Sequence, residues 1–225
     1  MSFFESVPQP PPPEPVVTRR PGWVRPDTVI PGGVPAELLL VRTDAVAVAV
    51  GGVRAYPNGF EFTVHVRLRW VDREIGPVGD PFSWHRRYGG PETAEDVLRL
   101  GVLYADGRRA ATTGWRRPPR GEGADDGQLV LVQQGGGGSQ QAWDQKFWVH
   151  PLPPAGPVTL IAAWREHGVS ETRADLDGGA IREAAGRAVR LWPDEPGAKP
   201  GSSARTSVLR PAPSEAPPPG EPPAS

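Results

Sequence analysis

Eleven consecutive residues, 60–70, alternate apolar and polar side chains without a break. Phe60, Phe62, Val64, Val66, Leu68 and Trp70 form one set, and Glu61, Thr63, His65, Arg67 and Arg69 form the other. Successive side chains of a strand point to opposite faces, so this stretch reads as a strand with one buried and one wet face. Asn58-Gly59 just ahead of it has the composition of a two-residue type I′ turn, which predicts a hairpin with residues 45–56 as its first arm. The apolar residues of that arm change phase: Val46, Val48 and Val50 are out of step by one with Val53 and Ala55. A one-residue bulge at Gly51-Gly52 restores a common face, because a bulge inserts one extra residue and glycine tolerates its backbone. The expected pairs are then Val53 with Val64, Ala55 with Phe62, Val50 with Val66, Val48 with Leu68 and Val46 with Trp70.

The same period recurs along the chain. Residues 37–42, 98–104, 108–113, 129–133, 143–150, 158–164 and 170–176 read as further strands. Leu98, Leu100, Val102 and Tyr104 share one face, as do Val158, Leu160, Ala162 and Trp164. The second face of 158–164 is also fairly apolar, which places that strand centrally. Asp106-Gly107 is a second two-residue turn signal, and GGGGS at 135–139 reads as a mobile loop. Residues 71–96 and 114–127 are long polar loops. The period then changes: Ile181, Ala184, Ala185, Ala188, Val189 and Trp192 lie on one stripe of a helix near 178–192. Asp177 is its expected N-cap, Glu183 and Arg187 an i,i+4 pair, and Pro193 its stop. Eight or nine strands, one C-terminal amphipathic helix and no βαβ alternation predict a mainly β chain, an antiparallel Ig-like β-sandwich.

The two ends differ from this interior. Residues 1–35 hold ten prolines and residues 193–225 ten more. Such segments bury little apolar surface, so both are expected to be disordered, leaving 36–192 as a single domain. The chain has no cysteine, which excludes disulfides, thiolate nucleophiles and thiolate metal sites. No signal-peptide pattern opens it, and the longest aliphatic run, 45–50, is too short to span a bilayer. These features predict a soluble cytoplasmic protein without membrane partners. Lys and Arg number 25 against 26 Asp and Glu, and residues 36–192 carry 19 of each. Nucleic-acid binders show a basic excess, so no nucleic-acid partner is expected.

Three segments, GVRAYPNGFEFTVHVRLR, FWVHPLPPAGPVTLIAAW and LDGGAIREAAGRA, together with the MSFFE start and the prolines after it, resemble a group of actinobacterial proteins of about this length. That group has no established activity. The resemblance implies a compact β-rich domain with a docked C-terminal helix, and it implies no catalytic residues.

Chemistry-bearing patterns are sparse. His65, His85, His150 and His167 form no HxH, HxxxH or HExxH spacing, so no local metal motif exists. There is no GxSxG elbow, and Ser83 is too close in sequence to His85 for the usual triad geometry. Asp125-Asp126 and Glu95-Asp96 are adjacent loop carboxylates, which read as solvated charge rather than as a glycosidase pair. The glycine run lacks the Lys-Ser/Thr of a phosphate loop. No cofactor is implied. One constellation remains: Trp84, Arg86, Arg87 and Tyr88 in one long loop, and Trp115, Arg116 and Arg117 in another. Aromatics interleaved with arginines are enriched in protein interfaces. They mark the expected contact site of a non-catalytic β-sandwich that binds another protein. The competing expectations are a hydrolase with a site built from 71–96 and 114–127, and a carbohydrate or small-ligand module using some of the eight tryptophans.

Overall fold

The fold follows from where each alternating segment finds its second layer. In a computed structural model, which describes residues 21–69, 81–82, 97–112, 127–139 and 141–192, the chain is mainly β, with antiparallel sheets and one α-helix among those residues. One sheet holds β2 (Gly32–Gly33), β3 (Leu38–Arg42), β4 (Val46–Tyr56), β5 (Gly59–Leu68), β8 (Val130–Gly138) and β9 (Ala142–His150). Its order is β2-β4-β5-β9-β8, with β3 also paired to β4. A second sheet has the order β11-β10-β6-β7, from β6 (Arg99–Tyr104), β7 (Arg109–Ala111), β10 (Pro157–Trp164) and β11 (Val169–Asp177). The remaining pair, β1 (Val29–Ile30) and β12 (Val189–Arg190), joins the two ends of the described chain.

The inward rows of both larger sheets meet in one buried cluster. Val48, Phe60, Phe62 and Val64 come from the first sheet, and Leu100, Val158, Leu160 and Trp164 from the second. Phe62 stacks on Phe147 at 5.7 Å between centroids, and Phe82 meets the edge of Phe147 at 5.1 Å. As its two apolar faces suggest, β10 lies inside its sheet, between β6 and β11.

The β4–β5 hairpin carries the expected bulge. Pairing shifts between Gly51 and Arg54, and Gly52 there has a φ of 59°, which favours glycine. The turn differs from the expected one. Tyr56 pairs with Gly59, so Pro57-Asn58 forms the two-residue loop and Gly59 begins β5. Proline holds φ near about −65°, which excludes a type I′ turn there. Both arms are thereby shifted by two residues: Val50 meets Val64, Val48 meets Val66 and Val46 meets Leu68. A shift of two leaves every side chain on its own face, so the hydrophobic pattern is equally satisfied and does not distinguish the registers.

Three other elements depart from sequence expectation. Ala105, Asp106 and Gly107 form a three-residue loop closed by Gly107 at φ 87°, rather than a two-residue turn. The glycine run is strand rather than loop, with Gly136, Gly137 and Gly138 paired to Gln145, Asp144 and Trp143. The helix, α1 (Gly178–Gly186), is shorter than 178–192. Gly186 ends it, and the chain then extends into β12. Ile181, Ala184 and Ala185 are buried as the stripe predicts, but Val189 and Trp192 are exposed. Asp177 caps α1 by accepting a hydrogen bond from the Gly179 N–H at 2.7 Å. Asp177→Ala is expected to cost about 1 kcal/mol, read from urea unfolding.

Residues before 36 also take part in the fold. Val29 pairs with Arg190, Ile30 with Val189, and the Val34 N–H bonds to the Val53 carbonyl. Prolines in 21–35 do not prevent docking, because Pro21, Pro26, Pro31 and Pro35 all fall outside the paired residues Val29–Ile30 and Gly32–Gly33.

Candidate functional site

The loop residues singled out in the sequence, Trp84, Arg86, Arg87, Tyr88, Trp115, Arg116 and Arg117, lie outside the described residues. So do His85, Trp70 and the loop carboxylates. The surface features that are described gather instead on the outer side of the first sheet, where residues 21–30 and 188–191 cross it.

Residues 21–30 are fixed across the Pro57-Asn58 turn. The Asn58 Nδ2 donates to the carbonyls of Gly22 and Val24 at 2.7 and 2.9 Å, and the Trp148 Nε1 donates to the Trp23 carbonyl at 2.8 Å. Arg25 Nη1 donates to Glu61 Oε2 at 2.7 Å, with Arg54 on the other carboxylate oxygen at 3.8 Å. Glu61 is thereby buried at 4 % exposure on the face that alternation marks as wet. Beneath this segment Val29, Tyr56 and Trp148 form a second, smaller apolar cluster, joined by Val132 and Ala188. The Tyr56 and Trp148 rings meet edge-on at 5.4 Å. Burial raises the Tyr56 pKa, and the Glu61 charge beside it acts in the same direction. This clasp explains why Phe147 and Trp148, on opposite faces of β9, are both buried. Sequence alternation allows only one of them a core, and the second is supplied by the chain ends.

The outward side of the clasp is apolar. Ile30 and Val189 lie directly opposite each other in the β1–β12 pair and are 53 % and 57 % exposed. Leu191, bonded to the Thr28 carbonyl, is 44 % exposed and Trp192 61 %. Four of the five exposed large apolar side chains among the described residues thus sit on one short ribbon and its end; Leu39 is the fifth. Helical periodicity hides this patch, because it counts Val189 and Trp192 as core. The signal available in sequence is Gly186, which ends the helix before the stripe does.

A polar group occupies the open part of the same sheet face. Asp144 Oδ1 meets His65 Nδ1 at 2.9 Å and accepts from Arg67 Nη1 at 2.7 Å. All three are partly exposed. The hydrogen bond from Arg67, followed by the one from His65, lowers the Asp144 pKa below its ordinary 3.8. A depressed carboxylate adds stability above its unfolded pKa and loses it as pH falls through the folded value. Stability should therefore fall less steeply in Asp144→Asn than in the parent below pH 3.8, measured by urea unfolding across the acid limb. This is a cross-strand ion pair with a histidine attached.

His150 Nδ1 lies 2.7 Å from the Asn58 carbonyl, and His167 packs against the Trp164 ring at 4.0 Å. Among the described residues no group of three or more His, Cys, Asp or Glu side chains is placed to hold a metal ion, and no helix is long and apolar enough to cross a membrane. Comparison with protein-family models, curated proteins and solved structures found no match to this chain.

Proposed function

We propose that this chain is a non-catalytic β-sandwich domain, Ig-like in its two facing antiparallel sheets, that binds another protein. The observation that supports this is the apolar ribbon. Scattered apolar residues on a surface need no explanation, but a cluster on one element marks a contact site. Here Ile30, Val189, Leu191 and Trp192 are held outward by a clasp whose other side is fully packed. The test is a photo-crosslinking side chain placed at Val189 in the full chain, in its native cells, with Arg173 on the second sheet as control. A discrete adduct with one protein at Val189, lost when Ile30→Glu is added and absent at Arg173, is the expected result. Equal adducts at both positions, or none at Val189, would overturn the ribbon as the site. The same crosslinker at Trp84 and Trp115 tests the arginine-rich segments as an additional contact.

A further inference from the structure

Asn58 is the only asparagine in the chain, and a glycine follows it. The two residues answer to different demands. Gly59 is fixed by β9, because a Cβ there would run into the Val149 carbonyl and the Trp148 ring. Asn58 is fixed by the clasp, where its Nδ2 is the donor on the Gly22 and Val24 carbonyls at 2.7 and 2.9 Å. Together they make an Asn-Gly dipeptide. Its asparagine is prone to lose the side-chain amide, since glycine carries no Cβ to keep its own nitrogen away from the preceding side chain.

The clasp rests on the sheet beneath it through side chains, because β1 and β12 pair with each other and with neither larger sheet. Residues 21–30 are tied to the first sheet through the two Asn58 bonds, the Trp148 bond to the Trp23 carbonyl, the Arg25–Glu61 pair and the packing of Val29. One amide thus supplies two of these ties. Its other atom, Asn58 Oδ1, is buried and has no hydrogen-bond partner. A carboxylate at 58 would set an oxygen, in place of the donor, against two carbonyl oxygens. It would also gain no new partner, since Arg25 is engaged by Glu61 and His150 Nδ1 faces the Asn58 main-chain carbonyl. Buried acceptors left facing one another, one of them charged, disfavour the closed clasp.

We propose that Asn58 is a deamidation site whose conversion releases the clasp. When residues 21–30 lift, the Asn58 side chain is free to turn towards the next residue. The Gly59 nitrogen gives up its proton to solvent base and attacks Asn58 Cγ. A new N–Cγ bond closes a cyclic imide, the Cγ–Nδ2 bond breaks, and the amide takes up a proton and leaves as ammonia. Water then opens the ring, giving aspartate or, by attack at the other carbonyl, isoaspartate. Either product lacks the donor that held Gly22 and Val24. Isoaspartate also adds a methylene to the main chain at the Pro57-Asn58 turn and makes a carboxylate of the carbonyl that His150 meets. Release therefore runs one way, and it unpairs Ile30 from Val189. The reaction stands on Asn58 and not on what the apolar ribbon binds, so the failure of either reading leaves the other standing.

Ageing of the full chain at mildly alkaline pH in heavy-oxygen water tests it, read by mass spectrometry of the tryptic fragment 55–67, with the synthetic 55–67 peptide as the unstructured reference. Asn58 should take up a single heavy oxygen in the folded chain, more slowly than in the peptide. In Arg25→Ala, which loosens the clasp, uptake should be about threefold or more faster than in the parent. Hydrogen exchange then reads the product, both in the aged chain, separated by its added negative charge, and in Asn58→Asp. The Val24 and Leu191 amides, bonded in the parent to the Pro21 and Thr28 carbonyls, should exchange about tenfold or more faster. Val64 and Phe147 in the main core should hold their parent rates. The aged chain keeps the test decisive if Asn58→Asp does not fold. A parent that keeps its amide while the peptide is converted, an Arg25→Ala chain no faster than the parent, or an aged chain whose Val24 and Leu191 exchange at the parent rate would overturn the proposal.

Discussion

Trp148→Ala is expected to destabilise the protein by about 3–5 kcal/mol, the range for truncating a fully buried aromatic. Trp148 is 1 % exposed and stands on the outer face of β9, away from the main core. Its ring is the floor on which Val29 and Tyr56 pack, and its Nε1 is the donor that fixes the Trp23 carbonyl. Removal should therefore do more than lower the unfolding midpoint. Residues 22–30 and 188–191 should lose amide protection together, because β1 and β12 are two-residue strands that depend on the cluster beneath them. Urea unfolding gives the first quantity and hydrogen exchange the second. Unchanged exchange in those segments would mean that β1–β12 pairing holds the clasp without Trp148. Ile30 and Val189 would also be displaced, so the variant should lose the ribbon's crosslink while the main core survives.

Gly59→Asn is the second large effect, at about 3 kcal/mol of destabilisation from overpacking. The substitution separates two explanations of the same glycine. In a type I′ turn at Asn58-Gly59 the residue would need positive φ, which asparagine accepts at little cost. In the structure Gly59 is the first residue of β5 and is not among the glycines of positive φ. A Cβ there would run into the Val149 carbonyl and come within 2.7 Å of the Trp148 ring. Both obstacles belong to β9, which is buried and cannot retreat. Asparagine at 59 should therefore be as damaging as alanine is, or more so. A loss below about 0.5 kcal/mol in either, by urea unfolding, would favour the turn explanation.

Alternation by itself determined the strands and their faces. Phe60, Phe62, Val64 and Val66 are buried, as are Leu98, Leu100, Val102 and Tyr104. It also located the bulge, because a change of phase in one arm of a hairpin has no other geometric remedy. Register escaped it, since pairings two residues apart bury the same side chains. The glycine run escaped it too: strand identity there comes from hydrogen bonds to β9, and glycine has no side chain to show a period.

The clasp was set by tertiary structure alone. Residues 21–30 have no periodic pattern, and their proline content resembles that of the tail. They dock because Trp148, Tyr56 and Glu61, all outward on their strands, leave apolar surface and a carboxylate uncovered. Only the assembled sheet brings those three side chains together. The helix stripe failed at its far end for the same kind of reason. Val189 can be a helical core residue or an exposed ribbon residue, and the partner that decides is Ile30, more than 150 positions away in sequence. Local propensity reports what a segment can bury; which side of it is covered depends on what the rest of the chain delivers to that face.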